Sequence, residues 1–140
     1  MVSILSVKWA KPVAAPVLIE EFLRAPDHSA ASLKWTIGDA LSVVADDSVF
    51  DNLVIIVQNK QHGKAREMIA TALGNMNNPR AIDVLIDLLQ DEDVAGHALI
   101  ALGRLKAGKA RHYIEPFLNH SKSWIRKEAN RALAKIDKGK

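Results

Sequence analysis

The chain has 140 residues, 49% of them hydrophobic and 25% charged, the balance of a globular domain large enough for one continuous core. It has no cysteine, which removes disulfides, thiolate metal ligands and thiol catalysis, and no apolar run approaches the roughly 18 residues of a membrane span. The net charge of +3 conceals a polarity: from Arg104 to Lys140 eleven Lys or Arg stand against three acids, whereas the preceding residues carry eight against thirteen. One end of the molecule is therefore basic and the rest acidic, which bears on partners and association rates.

Residues 1–11, with Val2, Ile4, Leu5, Val7 and Trp9, are apolar but short and lack the basic start of a secretory signal. They read as an N-terminal cap over the first helix pair. A helix is predicted over Ala14–Leu23, followed by a second over Leu33–Ser42. The same couple recurs as Val49–Val57 with Ala65–Gly74, as Ala81–Leu89 with Val94–Gly103, and as Ala110–Leu118 with Ile125–Ala134. In each second helix the apolar residues fall at the first, fifth, eighth and ninth places of a ten-residue phrase, one face of an α-helix. The spacing of about thirty residues is that of a solenoid, whose units bury their apolar faces only by stacking on one another.

The connections carry matching punctuation. Asn78-Pro79 and Asp47-Ser48 are suited to begin helices, and Gly74 and Gly103 sit where a missing side chain allows close packing or helix exit. Pro116, inside a predicted helix, removes a backbone donor and bends the chain. Four helix pairs follow, at about 12–45, 48–76, 79–106 and 109–137, within a single domain spanning 1–140.

The repeated phrase resembles HEAT repeats, in particular the short type named after phycobilisome lyases: a helix ending in Leu-Leu, an acidic turn, then Val-Arg-x-x-Ala-x-x-Ala-Leu-Gly. Arg66 and Arg126 hold the arginine place, Lys34 approximates it and Ala95 departs from it, while Asp91 and Asp93 supply the acidic turn. The resemblance implies an all-α right-handed superhelix with the second helices on its concave side. It implies little about function, since such proteins include scaffolds, chromophore lyase subunits, immunity proteins and a few enzymes. Arg66 and Arg126 read as structural cations that pair with backbone or with acids between repeats.

No catalytic constellation stands out. The histidines His28, His62, His97, His112 and His120 show no i, i+4 pairing, and the His-Glu dipeptides of di-iron HEAT-repeat hydroxylases are missing. His97, His112 and His120 come from adjacent repeats and form the one group whose convergence would suggest a metal. Asp46-Asp47 and Asp91-Glu92-Asp93 lie in turns, where helix capping accounts for them. There is no phosphate loop and no nucleophile elbow. HEAT-like alkylpurine DNA glycosylases offer a rival through Trp9, Trp35, Trp124 and the basic end, but the acidic remainder would repel phosphate. No cofactor or metal is predicted.

A binding surface remains. Opposite the core, the third and seventh places of the phrase give Trp35 and Asp39, Glu67 and Thr71, Gly96 and Ile100, Lys127 and Arg131, with His97 and Arg104 beside them. They form a ridge running from aromatic and acidic to basic. Trp35 and Ile100 are either exposed anchors or packed against neighbours; Trp124 is expected to pack on the preceding repeat. The sequence thus points to a cytoplasmic, non-enzymatic protein-interaction scaffold, its partner acidic where it meets the C-terminal repeats. A chromophore-lyase-like subunit and weak nucleic-acid binding by the last two repeats are the alternatives.

Overall fold

A computed structural model describes residues 11–25 and 31–139, so the cap assigned to the first eleven residues lies almost wholly outside the described residues. Among these the structure is helical, with no strand. The α-helices are α1 (Lys11–Arg24), α2 (Ala31–Val44), α3 (Phe50–Gln58), α4 (Glu67–Leu73), α5 (Arg80–Leu88), α6 (Ala95–Arg104), α7 (Arg111–Ile114) and α8 (Ser123–Lys138). They pair as α1 with α2, α3 with α4, α5 with α6 and α7 with α8, and the second helices α2, α4, α6 and α8 lie side by side in that order. The architecture is an α-solenoid, as the periodicity predicts.

The fifth, eighth and ninth places of the phrase build one continuous core. Ile37, Ala40 and Leu41 from α2, Ile69, Ala72 and Leu73 from α4, Ala98, Ala101 and Leu102 from α6, and Ala129, Ala132 and Leu133 from α8 are all buried in it. The first place is less regular: Ala65, Val94 and Ile125 are buried, but Leu33 is exposed. Small residues let the second helices approach closely. A methyl group on Gly74 would come within 2.8 Å of the Ala101 Cα, and one on Gly103 within 3.0 Å of the Ala132 Cα. Neither glycine takes a left-handed backbone conformation; the positive φ that ends α6 belongs to Lys106, at 52°. There the Ala107 N–H reaches back to the Leu102 carbonyl, closing the helix end as a left-handed C-terminal turn does.

Local chemistry explains the breaks. The Asn78 side chain accepts the Arg80 N–H at 2.9 Å and begins α5 as predicted. The cap before α3 is instead Asp46, one residue ahead of the predicted Asp47: its side chain accepts the Ser48 N–H at 3.0 Å, and Asp47 accepts the Asn77 N–H. Two 3₁₀ turns between Lys60 and Arg66 meet at Gly63, whose φ of 54° suits glycine. In the fourth pair α7 gives way to a 3₁₀ segment, Glu115–Asn119, with Pro116 in its first turn. The proline cannot supply the missing α-helical donor, so the predicted first helix shortens and tightens.

Ion pairs tie successive repeats together on the outside: Arg80 of α5 to Asp51 of α3 at 3.1 Å, and Lys109, in the 3₁₀ turn before α7, to Asp83 of α5. All four side chains are largely exposed, so each pair contributes at most about 1 kcal/mol.

Candidate functional site

Two of the four residues at the second place of the phrase are fully buried cations. Arg66 donates through Nε to the Gly63 carbonyl and through Nη1 to the Val57 carbonyl, both at 2.8 Å. Its Nη1 also lies 2.9 Å from Asp91 Oδ2, while Nη2 faces Asp93 at 3.6 Å, beyond hydrogen-bond length. It therefore ties the α3–α4 connection to the α5–α6 turn, the structural role read from the sequence. Burial works to raise the Asp91 carboxyl; hydrogen bonds from Arg66 and the Asp93 N–H, with the charges of Arg66 and Lys60, outweigh it and hold the group below its ordinary value. Lys34 in α2 is the equivalent cation of the first pair: its Nζ lies 3.0 Å from His62 Nδ1 and 4.9 Å from the centre of the Phe22 ring. Arg126 stays exposed and donates to the carbonyls of His120 and Ser121.

The ridge predicted on the second helices is partly assembled. At the N-terminal ends of these helices, side chains touch from one repeat to the next. The Trp35 indole N–H donates to Glu67 Oε1 at 3.2 Å, and Glu67 Oε2 lies 3.5 Å from His97 Nδ1. That last contact is an ion pair only when His97 is protonated, and its geometry is not that of a hydrogen bond. The His97 ring meets the edge of Trp124, with centroids 6.0 Å apart. Trp35, Glu67, His97 and Trp124 thus form one file across all four helix pairs. Trp124 fills the space left open by Gly96, where a methyl group would come within 2.1 Å of its ring. It packs on the preceding repeat, as predicted, yet remains 45% exposed, and Trp35 remains 39% exposed.

A second file follows the C-terminal ends. The Asn75 side-chain amide donates to the Ser42 carbonyl at 3.1 Å, and its oxygen receives Arg104 at 3.5 Å. Asn75 carries no special spacing and was not among the predicted contacts; its place immediately after Gly74, on the helix exit, is the signal that could have shown it.

Four predicted residues, Asp39, Arg104, Lys127 and Arg131, are exposed. Arg131 pairs with Glu128 at 2.7 Å. Ile100 is half-buried and joins Arg131 and Lys135 along a shallow cleft of about 110 Å³ between α6 and α8. Thr71 corrects the prediction. It is 5% exposed, and its hydroxyl donates to the Glu67 carbonyl one turn back, so it belongs to the interior. The short α4, enclosed between α2 and α6, turns its seventh place inward.

The histidines of the C-terminal half do not converge. His97 lies against Glu67 and Trp124, His112 on Tyr113, and His120 on Phe117. Among the described residues no three His, Asp or Glu side chains are grouped as a metal ion would require. No described helix is long and apolar enough to cross a membrane.

Stacked helix pairs, a small-residue spine and cations buried between repeats define a helical repeat protein. The family model for HEAT repeats matches residues 15–96, more than half of the chain, and the chain belongs to that family. No curated protein matches it. HEAT repeats are commonly protein-interaction scaffolds.

Proposed function

We propose that this chain is a non-enzymatic scaffold that receives a protein or peptide partner across its second helices and basic C-terminal end. The observation that carries the reading is the Trp35–Glu67–His97 file, which fixes an exposed indole and a carboxylate in place across three helix pairs. Held side chains lose little freedom on binding, and indoles are favoured interface anchors. Asp39 lies at the acidic end of this surface, and Ile100, Arg104, Lys127 and Arg131 lie at the basic end. A partner of opposite polarity would meet it in one direction. The unbroken run of second helices from α2 to α8 supports a single domain. The pairing of Arg66 with Asp91 and Asp93 supports the short, lyase-like type of repeat, since these are the arginine and acidic-turn places of that pattern.

The test is affinity capture from native lysate at low and high salt, with identification of the retained protein and titration of it in pure form. Wild type should retain one discrete protein at both salt concentrations. Lys127→Glu with Arg131→Glu, and separately Trp35→Ala, should lose it while keeping the helical circular dichroism signal. Recovery of nucleic acid alone, released as salt rises, would replace this reading with phosphate binding by the last two repeats.

A further inference from the structure

A cleft of about 150 Å³ opens beside Trp124, between the turn that precedes α6 and the turn that precedes α8. Its back wall is apolar, built from the buried residues Leu89, Ala95 and Ile125. Phe117 and Trp124 add aromatic surface. The rim is held before any partner arrives. Arg126 pins the His120 and Ser121 carbonyls, at 2.6 and 3.1 Å, and the Lys122 N–H donates to His120 Nδ1 at 3.0 Å. The His120 ring lies parallel to that of Phe117, with an interplanar angle of 7°. Because Nδ1 accepts, the proton of the neutral ring sits on Nε2, which is left as a donor.

The charges around this cleft are unequal. Lys122 lines it and the exposed Arg126 lies on its rim, bonded to the His120 and Ser121 carbonyls, whereas Glu92 is the one acid in the lining. A cleft of side-chain size, with an apolar back wall and a rim in which cations outnumber the acid, suits an apolar residue flanked by carboxylates. We propose that this cleft docks a short protein segment in which a leucine or aromatic side chain is bracketed by Asp or Glu. The apolar side chain enters against Ile125 and Trp124, and the flanking carboxylates meet Lys122, Arg126 and the His120 Nε2–H. The site shares Trp124 with the file on the second helices but includes none of Trp35, Glu67, Arg104, Lys127 and Arg131, so binding here is separable from that surface at those residues.

The test is fluorescence anisotropy on the full chain with three fluorescein-labelled hexapeptides: Leu-Phe between pairs of aspartates, Ser-Gly between the same aspartates, and Leu-Phe between pairs of lysines. The first should bind saturably and about tenfold more tightly than either control, the difference made by burying the apolar pair within a cationic rim. Trp124→Ala should weaken it about tenfold. Glu92→Lys should tighten it about threefold and Lys122→Glu should weaken it about threefold, the scale of exposed charge pairs. Trp35→Ala should leave it unchanged, which separates this site from the second-helix surface. Equal binding of the Ser-Gly peptide would show a merely electrostatic surface and overturn the proposal. So would no binding of the first peptide, or a Glu92→Lys variant with wild-type affinity. A thymidine decamer that binds in a Lys122-dependent way where the first peptide does not would assign the rim to nucleic acid instead.

Discussion

The Arg66 guanidinium and the Asp91 carboxylate meet at 2.9 Å across the boundary between the second and third helix pairs, with the arginine fully buried and the aspartate side chain 14% exposed. A cation removed from water needs its partner, so deleting the carboxylate leaves a charge that the interior cannot solvate. Asp93 and two carbonyls still face Arg66, which limits the loss. Asp91→Ala should therefore destabilise the fold by about 3 kcal/mol, the low end for breaking a buried pair. Urea denaturation at neutral pH would measure it, and a loss below about 0.5 kcal/mol, the range of surface substitutions, would show that Asp93 suffices.

The same pair sets an acid limb. The folded-state pKa of Asp91 lies below its ordinary value of 3.8, so its contribution is fully present above that value and is lost as pH falls through the lower folded one. Asp91→Asn removes that proton-linked part. Wild type should lose stability to it below about pH 4, and the difference between the two proteins should narrow there. A difference that stays constant down to the acid transition would contradict the linkage.

Two glycines, one at the end of α4 and one at the start of α6, make opposite predictions from the same substitution. Gly74→Ala adds a methyl group 2.8 Å from the Ala101 Cα, which is backbone and cannot swing away. Gly74 caps the end of α4, so alanine gains less there than the approximately 1 kcal/mol of a helix interior, against a cost of about 1–3 kcal/mol for overpacking, and stability should fall. Gly96→Ala meets chiefly the far end of the Trp124 ring, on a half-exposed side chain that can rotate outward. Thermal unfolding should change little, while tryptophan emission shifts to the red as Trp124 enters water. A Gly96→Ala protein that unfolds like the Gly74→Ala variant would show that Trp124 is held more firmly than its exposure implies.

The ten-residue phrase made most of the spine readable, because one buried face per helix repeats at fixed spacing. It also marked Arg66 and Arg126 as structural cations, and both bond backbone carbonyls, but only Arg66 is buried. The second buried cation is Lys34, which the pattern only approximates. Surface placement was harder to read. Thr71 sits opposite the core on a helical wheel, yet it is buried because α4 is short and lies between two neighbours, a condition that no single-helix projection contains. The link from Trp35 to Glu67 spans 32 residues, and the sequence places both on one ridge without showing that they touch. The cleft beside Trp124 depends on how two turns sit against each other, which periodicity does not encode.

Lys106 carries a left-handed backbone conformation with φ 52° at the end of α6. A side chain in that region costs roughly 1–2 kcal/mol, part of which glycine avoids and part of which it returns as unfolded-chain entropy. Lys106→Gly should raise stability by about 0.5–1 kcal/mol. The Lys106 stem lies beside Gly139, where a methyl group would come within 3.0 Å of its Cδ, and this neighbour offsets little of the gain. A lower melting temperature in this variant would mean that the lysine stem stabilises the end of α8 more than its backbone strain costs.

Leu102 tests how far the repeats depend on one another. It is fully buried in α6, which packs against α4 on one side and α8 on the other. Leu102→Asp places a carboxylate in the hydrophobic core, a cost of several kcal/mol and of the order of the whole domain's stability. In a stack this short, each interface is a large share of the total, so losing α6 strips support from both neighbouring helices. Hydrogen exchange should show protection lost together in α4, α6 and α8, with the greatest loss in α6. Protection retained at Ile69 and Leu73 while α6 exchanges freely would show that the N-terminal pairs stand as an independent unit.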